Sequence, residues 1–573
     1  MEYFLNKQSS NNYNNLDNLK YDLLKLRNVK NPKDYLNIID KHEYENSYKL
    51  LDNIDKAKEC LIKHINNNDI IFTVADCDVD GVTSFASLYL YLKSTFNNIK
   101  LEYAIHKGKQ HGLSDDIEIP KDTKLVIMTD SSSNDYEQHK LLKDKGIDII
   151  VLDHHEADKI SENAIVVNNQ LCNYPNKNLS GVGVVYKFLQ LLDEELWQDK
   201  AKDYLDLVAL GLIGDSMNIN EMETKYLIEK GLKNINNKQL LAIIKKQDYS
   251  IKGKVTINNI AFYIVPLINA MIRIGKQDEK ELLFKGFIEE YEEFDYKPRG
   301  NKPIQKEDIY TRVARLCANI KSRQDKMRDK ALMELDNIIL TKSKLNDKII
   351  VVNCNNNYNL GLTGVIAIKL ANKYNRPCIL LNKSKDGIYR GSGRNTDRNS
   401  IKDLKKLLNE TNMFKGEGHP QAMGVSIDKD IPKAISLLND KLKNVDFSSN
   451  TYEVDYIIPF EELQDEFIFE IDNMNNLWGK GVEQPLVTIK DIEVNSNDIE
   501  VLGKTNNTLK FTIDDVEFIK FRIDDNDELI KKTSSWENDT IQTFNLDIVG
   551  KCSSNTWNNI KRPQIIIEDY KIK

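Results

Sequence analysis

Short apolar runs at 70–74, 99–105, 125–129, 149–152 and 164–167 are separated by polar and helix-patterned segments. Continuous apolar runs of this length predict strands buried on both faces, and helices between them predict βαβ units in a mostly parallel sheet. One such helix is expected from Thr83 to about Lys93, apolar at Phe85, Leu88, Leu90 and Leu92. Another is expected near 202–213, and largely helical sequence continues to about residue 340. It is broken by a Pro- and Gly-bearing loop at 296–305. A second α/β alternation begins at Lys348, with strands at 349–352 and 378–381 around a helix near 364–374. From Tyr452 onward the pattern changes to short alternating strands at 486–489, 499–502, 509–513, 518–522, 546–549 and 564–567, which suggests a small β-barrel.

At 573 residues the chain should hold roughly three or four domains. Hydrophobic residues at 40% and charged residues at 29% are ordinary for a soluble globular protein. No run approaches the roughly 18 apolar residues of a membrane span, so no membrane association is expected. The first residues offer neither a basic flank nor an apolar h-region, so no secretory signal is expected. Seven scattered cysteines, never in C-x-x-C pairs, argue against a disulfide framework or zinc site and for a reducing, cytoplasmic location. The net charge of −8 does not by itself favour a nucleic-acid partner, but binding depends on local patches. Residues 312–330 carry Arg312, Arg315, Lys321, Arg323, Lys326, Arg328 and Lys330 against only Asp325 and Asp329. That helix reads either as a solvated face or as a nucleic-acid track.

Chemistry concentrates in ADCDVDGVTS, residues 75–84, where Asp76, Asp78 and Asp80 alternate directly after the first apolar run. Such crowding raises carboxyl pKa values unless positive charge intervenes. A calcium loop of EF-hand type needs a glutamate at its twelfth position, here Ser87, and a helix before it. Helix capping could use one of the three carboxylates but not all. Two later runs also end in acids, Asp130 and Asp153, the second followed by His154, His155 and Glu156. Strand carboxyl ends share one rim of a parallel sheet, so Asp76, Asp78, Asp80, Asp130 and His154 are expected to converge there. Asp215 adds an acid at the end of an apolar helix. Carboxylates with an imidazole suit Mn²⁺ or Mg²⁺ rather than a thiolate zinc site. Two such ions about 3.5–4 Å apart clamp the oxygens of an in-line phosphoryl displacement.

DCDVDG, DHHE at 153–156 and the late acid of ALGLIGD together resemble the DHH phosphoesterase superfamily, and within it the RecJ family of single-strand-specific 5′→3′ DNA exonucleases. The likeness runs from about residue 60 to the last residues. It implies two Mn²⁺ or Mg²⁺ ions held by Asp78, Asp80, Asp130, His154 and Asp215, with Asp76 and His155 catalytic and Asp153 holding a histidine. PLINAMIRIG (266–275) places Arg273 at a phosphate-contacting arginine, and GVGVVYKF (181–188) resembles the glycine turn and helix after the DHH strand. RGSGRN and GEGHPQAMG resemble the glycine-rich motifs of the associated DHHA1 domain, implying substrate contacts at Ser392, Gly393, Arg394, Gly418 and His419. LWGKGVEQP and TWNNIKRPQIIIEDY resemble an OB-fold domain, which binds single strands by stacking and phosphate tracking. His106, Lys107, Arg323 and Trp557 are candidate DNA contacts, with Lys561 and Arg562 beside the last.

Three departures stand out. Ser131, Ser132 and Ser133 follow Asp130, where the family carries glycine at the second position. AIHKGKQHGL offers His106, Lys107 and Lys109 where an arginine recognises the 5′ end. NNNYNLG lacks the histidine that often precedes its glycine.

The expected fold is α/β: a polar, weakly helical lead-in (1–50), a parallel-sheet DHH domain (51–225), a helical connector (226–345), a smaller α/β DHHA1 domain (346–447) and an OB-like β-barrel (448–573). The expected function is metal-dependent 5′→3′ hydrolysis of single-stranded DNA to mononucleotides in repair or recombination. The expected state is a monomer, with a single-strand-binding protein or a helicase as partner. Two alternatives stand beside it: a DHH–DHHA1 phosphodiesterase for short RNA or cyclic dinucleotides, and a non-catalytic DNA-binding scaffold.

Overall fold

The computed structural model describes residues 1–106, 111–113, 117–298, 300, 303–358, 360–428, 430–503, 506–523, 527–534, 541–558 and 560–573. The chain divides into two compact units: residues 31–326 with 479–482, and residues 1–30, 327–478 and 483–573.

In the first unit, strands β1 (Ile70–Ala75), β2 (Lys100–Ile105), β3 (Thr123–Thr129), β4 (Asp148–Asp153) and β5 (Ile165–Asn168) form one sheet. Their order is β2-β1-β3-β4-β5 and every pair is parallel. Phe72, Val74, Val126, Met128, Ile149 and Val151 alternate along three strands and bury one face together. Helices α1 (Val79–Thr95), α2 (Gly181–Leu196) and α3 (Leu205–Gly214) are buried along most of their length. The chain leaves β1 to one side for β2 and returns on the other for β3, so the crevice at the carboxyl ends of β1 and β3 is a topological switch point.

α1 begins at Val79, four residues before the expected start. Asp78, in extended backbone, accepts from the Gly81 amide at 2.9 Å and caps the helix, which lets a helix form through Asp80 and Gly81. One apolar stretch is longer than the sequence reading allowed. Residues Ile257–Ile274 reach a mean hydropathy of 1.4 over 18 residues, and half of them are buried, as in a core helix. The last part is α4 (Val265–Ile274). The cation-rich segment lies within one 33-residue helix, α5 (Ile309–Thr341).

The second unit holds a mixed sheet of β6 (Ile350–Asn353), β7 (Cys378–Lys383), β8 (Tyr389–Arg394), β9 (Lys415–His419) and β10 (Ala422–Ile427), in the order β9-β10-β8-β7-β6. Only β6 and β7 are parallel. Helix α6 (Leu360–Tyr374) packs on it. A seven-stranded sheet follows. Its two long strands, Thr543–Trp557 and Ile560–Ile572, pair as one hairpin that runs well beyond the strands expected at 546–549 and 564–567. The turn comes at Asn558, at φ 48°. Ser553, Ser554 and Asn555 stay in the ladder because each has a partner residue on the facing strand.

The lead-in carries short helices at Leu19–Leu26 and Pro32–Leu36, but its first residues are strand. Residues Glu2–Leu5 form a strand parallel to Thr451–Val454. Arg27 makes a two-pronged ion pair with Asp455 at 2.6 and 2.7 Å, their side chains only 12% and 6% exposed. Polar composition concealed this: Leu19, Leu23, Leu24 and Val29 are buried, and hydrogen bonds hold the polar residues around them.

Candidate metal centre at the switch point

Asp76 follows β1, Asp130 follows β3, His154 follows β4, Asp78 and Asp80 open α1, and Asp215 follows α3. Their donor atoms form three overlapping groups, each within 4.8 Å: Asp76, Asp78 and Asp130; Asp130, His154 and His155; Asp80, His154 and Asp215. Nε2 of His154 lies 3.2 Å from Asp130, 3.5 Å from Asp215 and 3.9 Å from Asp80. Six of the expected residues therefore converge, with His155 beside them.

Local backbone explains the closeness. Asp130 sits at φ 61° and donates its amide to the Leu152 carbonyl at 2.8 Å, turning its carboxylate into the crevice. A Cβ on Gly181 would lie 2.5–2.8 Å from Asp130, and one on Gly81 would lie 2.6–2.9 Å from Asp76. Both positions need glycine so that a helix start can meet an acid. Asp80 is held differently: it accepts from the Ser180 hydroxyl and the Gly181 and Val182 amides at 2.9, 2.6 and 3.2 Å. The amino end of α2 thus faces a carboxylate, the favourable sense for a helix dipole. Asp153 accepts from the His154 and His155 amides, from His155 Nδ1 at 2.8 Å and from the Ser133 amide.

The charges remain uncompensated. Burial first, then Asp80, Asp78 and Asp76, push the Asp130 carboxyl well above the usual range. Burial likewise raises Asp80 and Asp76, and burial with Asp80 and Asp78 lifts Asp215 to about 8. Burial pushes His154 down. Desolvation opposes the charge on His155, but Asp153 overrides it and lifts that imidazole to about 9. Oδ1 of Asp76 and Oδ1 of Asp130 are buried and meet no hydrogen-bond partner among the described residues. Orphaned, desolvated carboxylate oxygens with an imidazole between them are the donor set of a hard or borderline divalent cation. The residues fit such ions, and Asp130, common to two of the groups, is placed to serve both.

The other expected residues fall into distinct environments. Arg273, near the end of α4, is partly buried; desolvation lowers its pKa, and Asp78 is near enough to favour its charge. In the second unit Arg394 and His419 both pair with Ala422, one from each side, and so share a sheet face. Arg394 donates to the Gly393 and Met423 carbonyls at 2.7 and 3.1 Å, and the Ser392 hydroxyl meets Thr363 at 2.9 Å. Gly418 takes φ 120° on the edge strand. Lys107 lies outside the described residues, as does the side chain of Trp557, whose backbone ends a long strand.

Two expectations are corrected. His106 is 1% exposed, so it lies beneath the site and is no surface contact for DNA. Arg323 donates to the Ile274 carbonyl at 3.0 Å and sits 3.5 Å from Glu279, capping the end of α4. Its neighbours on α5 are spent similarly: Arg312 and Arg315 on Glu307, Lys321 on Asp325, Arg328 on Asp329. Asp325 and Asp329 were visible in the count along the helix, whereas Glu307 and Glu279 lie outside residues 312–330. One residue escaped sequence reasoning: Nδ1 of His111 lies 2.7 Å from Oδ2 of Asp76. Only its sequence proximity to His106, in a loop after β2, hinted at it.

Three family models match the chain: the DHH family N-terminal domain at residues 70–212, the DHHA1 domain at 346–444 and the RecJ OB domain at 454–569. The SPbeta prophage protein YorK of Bacillus subtilis strain 168, provisionally named a single-strand DNA-specific exonuclease, is 38% identical over 582 residues, covering 100% of this chain and 98% of its own. The single-stranded-DNA-specific exonuclease RecJ of the same strain is 26% identical, covering 90% of this chain and 63% of its own. The crystal structure of RecJ with Mn²⁺ from Thermus thermophilus shares the fold, with a TM-score of 0.71 at 17% identity, covering 100% of this chain and 79% of that one.

Proposed function

Because the chain belongs to the RecJ-like single-strand DNA-specific exonucleases of the DHH superfamily, we propose that it hydrolyses single-stranded DNA stepwise from the 5′ end, releasing mononucleotides in repair or recombination. The observation that carries the reading is the convergence of Asp76, Asp78, Asp80, Asp130, His154 and Asp215 at the switch point, with orphaned oxygens on Asp76 and Asp130. Two divalent cations, Mn²⁺ or Mg²⁺, would be held there, the first by Asp76, Asp78 and Asp130, the second by Asp130, His154 and Asp215; Asp76, expected to be catalytic, would then be a ligand, and Asp80, expected to be a ligand, is taken up by three donors. When bound, they supply charge neutralisation for the phosphate and a lowered pKa for an attacking water.

The chain's own residues then have separable tasks. Asp78 joins helix capping to cation binding. Asp80 anchors the start of α2 and thereby the carboxylate of Asp130. Asp153 fixes His155, leaving an imidazolium 56% exposed over the site, suited to donating to a phosphate oxygen. Arg273 supplies a second positive group on the Asp78 side. Arg394 and His419, with the backbone at Ser392, Gly393 and Gly418, would bind phosphate on the DHHA1 sheet. The OB domain would hold the strand beyond, with a single-strand-binding protein or helicase as partner of the monomeric enzyme.

The test is incubation with Mn²⁺ or Mg²⁺ and 5′- or 3′-labelled single-stranded DNA, blunt duplex and short RNA. Mononucleotides should leave the 5′ end of the single strand only, and Asp130→Ala should lower the rate by at least about 10³-fold, the scale expected when the charge clamp is removed. Cleavage confined to short RNA would replace the DNA reading with the phosphodiesterase alternative. Activity unchanged by chelation would remove the cations from it.

A further inference from the structure

Asp76 is flanked by two histidines that follow β2, His106 and His111. His111 is 62% exposed, and its Nδ1 stands 2.7 Å from Asp76 Oδ2. His106 is wholly buried, with Nε2 4.0 Å from Asp76 Oδ1, and neither of its ring nitrogens meets a hydrogen-bond partner among the described residues. The two carboxylate oxygens are therefore unlike. Oδ2 accepts a hydrogen bond from an imidazole at the surface. Oδ1 is buried and unpartnered among the described residues, and a carboxylate oxygen of Asp76 lies within 4.8 Å of Asp78 and Asp130.

We propose that His111 is a positioning residue for one of the two cations: by donating Nδ1–H to Oδ2 it holds Asp76 in the rotamer that presents Oδ1, alone, as its donor to the cation shared with Asp78 and Asp130. The donation needs only the Nδ1 proton, which a carboxylate partner selects whether or not the ring carries a second one. Groups that orient a ligating carboxylate commonly change metal affinity by 10–100-fold when lost. Neither the acidic motif nor the DHH triplet contains this residue. The inference rests on the cation reading above, so its test reads binding rather than turnover.

Mn²⁺ is titrated into the full-length chain by calorimetry, with frozen-solution electron paramagnetic resonance at two equivalents, for wild type, His111→Ala and His111→Asn. Nδ2 of asparagine occupies nearly the place of Nδ1 of histidine, so the asparagine variant keeps the donor. Wild type should take two ions and show a spin-coupled pair. His111→Ala should weaken one ion about 10–100-fold, leave the other unchanged and show the signal of an isolated Mn²⁺. His111→Asn should recover most of the affinity and the coupling. Because His111 is exposed, its replacement leaves the core intact. Two ions bound at wild-type affinity by His111→Ala would overturn the proposal, as would an alanine defect that asparagine fails to relieve. A wild-type chain that binds no Mn²⁺ overturns the cation reading, and this proposal with it.

Discussion

Ser132 stands at φ 81°, a backbone region that L residues with a Cβ occupy at a cost of about 1–2 kcal/mol. It is the position where the family carries glycine, and its buried hydroxyl finds no partner among the described residues. Ser132→Gly should therefore stabilise the fold by about 0.5–1 kcal/mol after the extra freedom of the unfolded chain is counted. A higher thermal midpoint checks this, and an unchanged or lower one would show that the turn is not strained. The acids beside it give the fold a pH dependence of definite sign. The Asp215 carboxyl is lifted to about 8 and Asp80, Asp76 and Asp130 are raised, all above their unfolded values near 4. A raised folded pKa contributes stability that is complete below the unfolded pKa and is lost as pH rises through the folded one. Without added cation, the thermal midpoint should fall between about pH 4 and pH 8, and excess Mn²⁺ should cancel the fall. Asp215→Asn should flatten the metal-free profile.

At the scale of elements, α2 is seated by two contacts from its first turn: three donors onto Asp80, and Gly181 against Asp130. Gly181→Ala would force a methyl into the 2.5–2.8 Å gap, so the helix must retreat and release Asp80. A destabilisation of about 1–3 kcal/mol is expected, with activity down by more than about 100-fold. Wild-type turnover in a folded Gly181→Ala chain would show that the seat is not needed. This geometry also shows what the sequence could convey. The strands were legible because fully buried parallel strands are continuous apolar runs, and the rim was legible because three of the five runs are followed by an acid, Asp76, Asp130 or Asp153. The division of labour among Asp76, Asp78 and Asp80 was not, since it depends on which helix start each one meets. The cations of α5 misled for the same reason: Glu307, in the strand that runs directly into α5, and Glu279, on another helix, are invisible to a count along residues 312–330. His111 was missed because a lone loop histidine carries no pattern.

Within the second unit, the first thirty residues behave as part of the C-terminal fold. Arg27 and Asp455 are buried together, and the Tyr3 hydroxyl reaches Asp547 at 2.7 Å. Arg27→Ala leaves the Asp455 carboxylate buried without its partner, a loss of about 3–5 kcal/mol. Melting should show that transition moving down while the transition of the other unit stays in place. Movement of both, or of neither, would contradict the division of the chain.

That pair has a consequence in time. Arg27 and Asp455 lie 428 residues apart, and at about 5–20 residues per second a ribosome needs roughly 20–90 s to deliver the second after the first. Throughout that interval residues 1–30 have no native partner, while residues 31–326 can close their own sheet. The nascent chain thus holds an arm without its partners while the parallel sheet is already made and residues 479–482 of the first unit are still to come. Anything that stalls translation between the two would leave that arm exposed to proteases, while the acidic residues of the crevice, all before residue 216, have already been made.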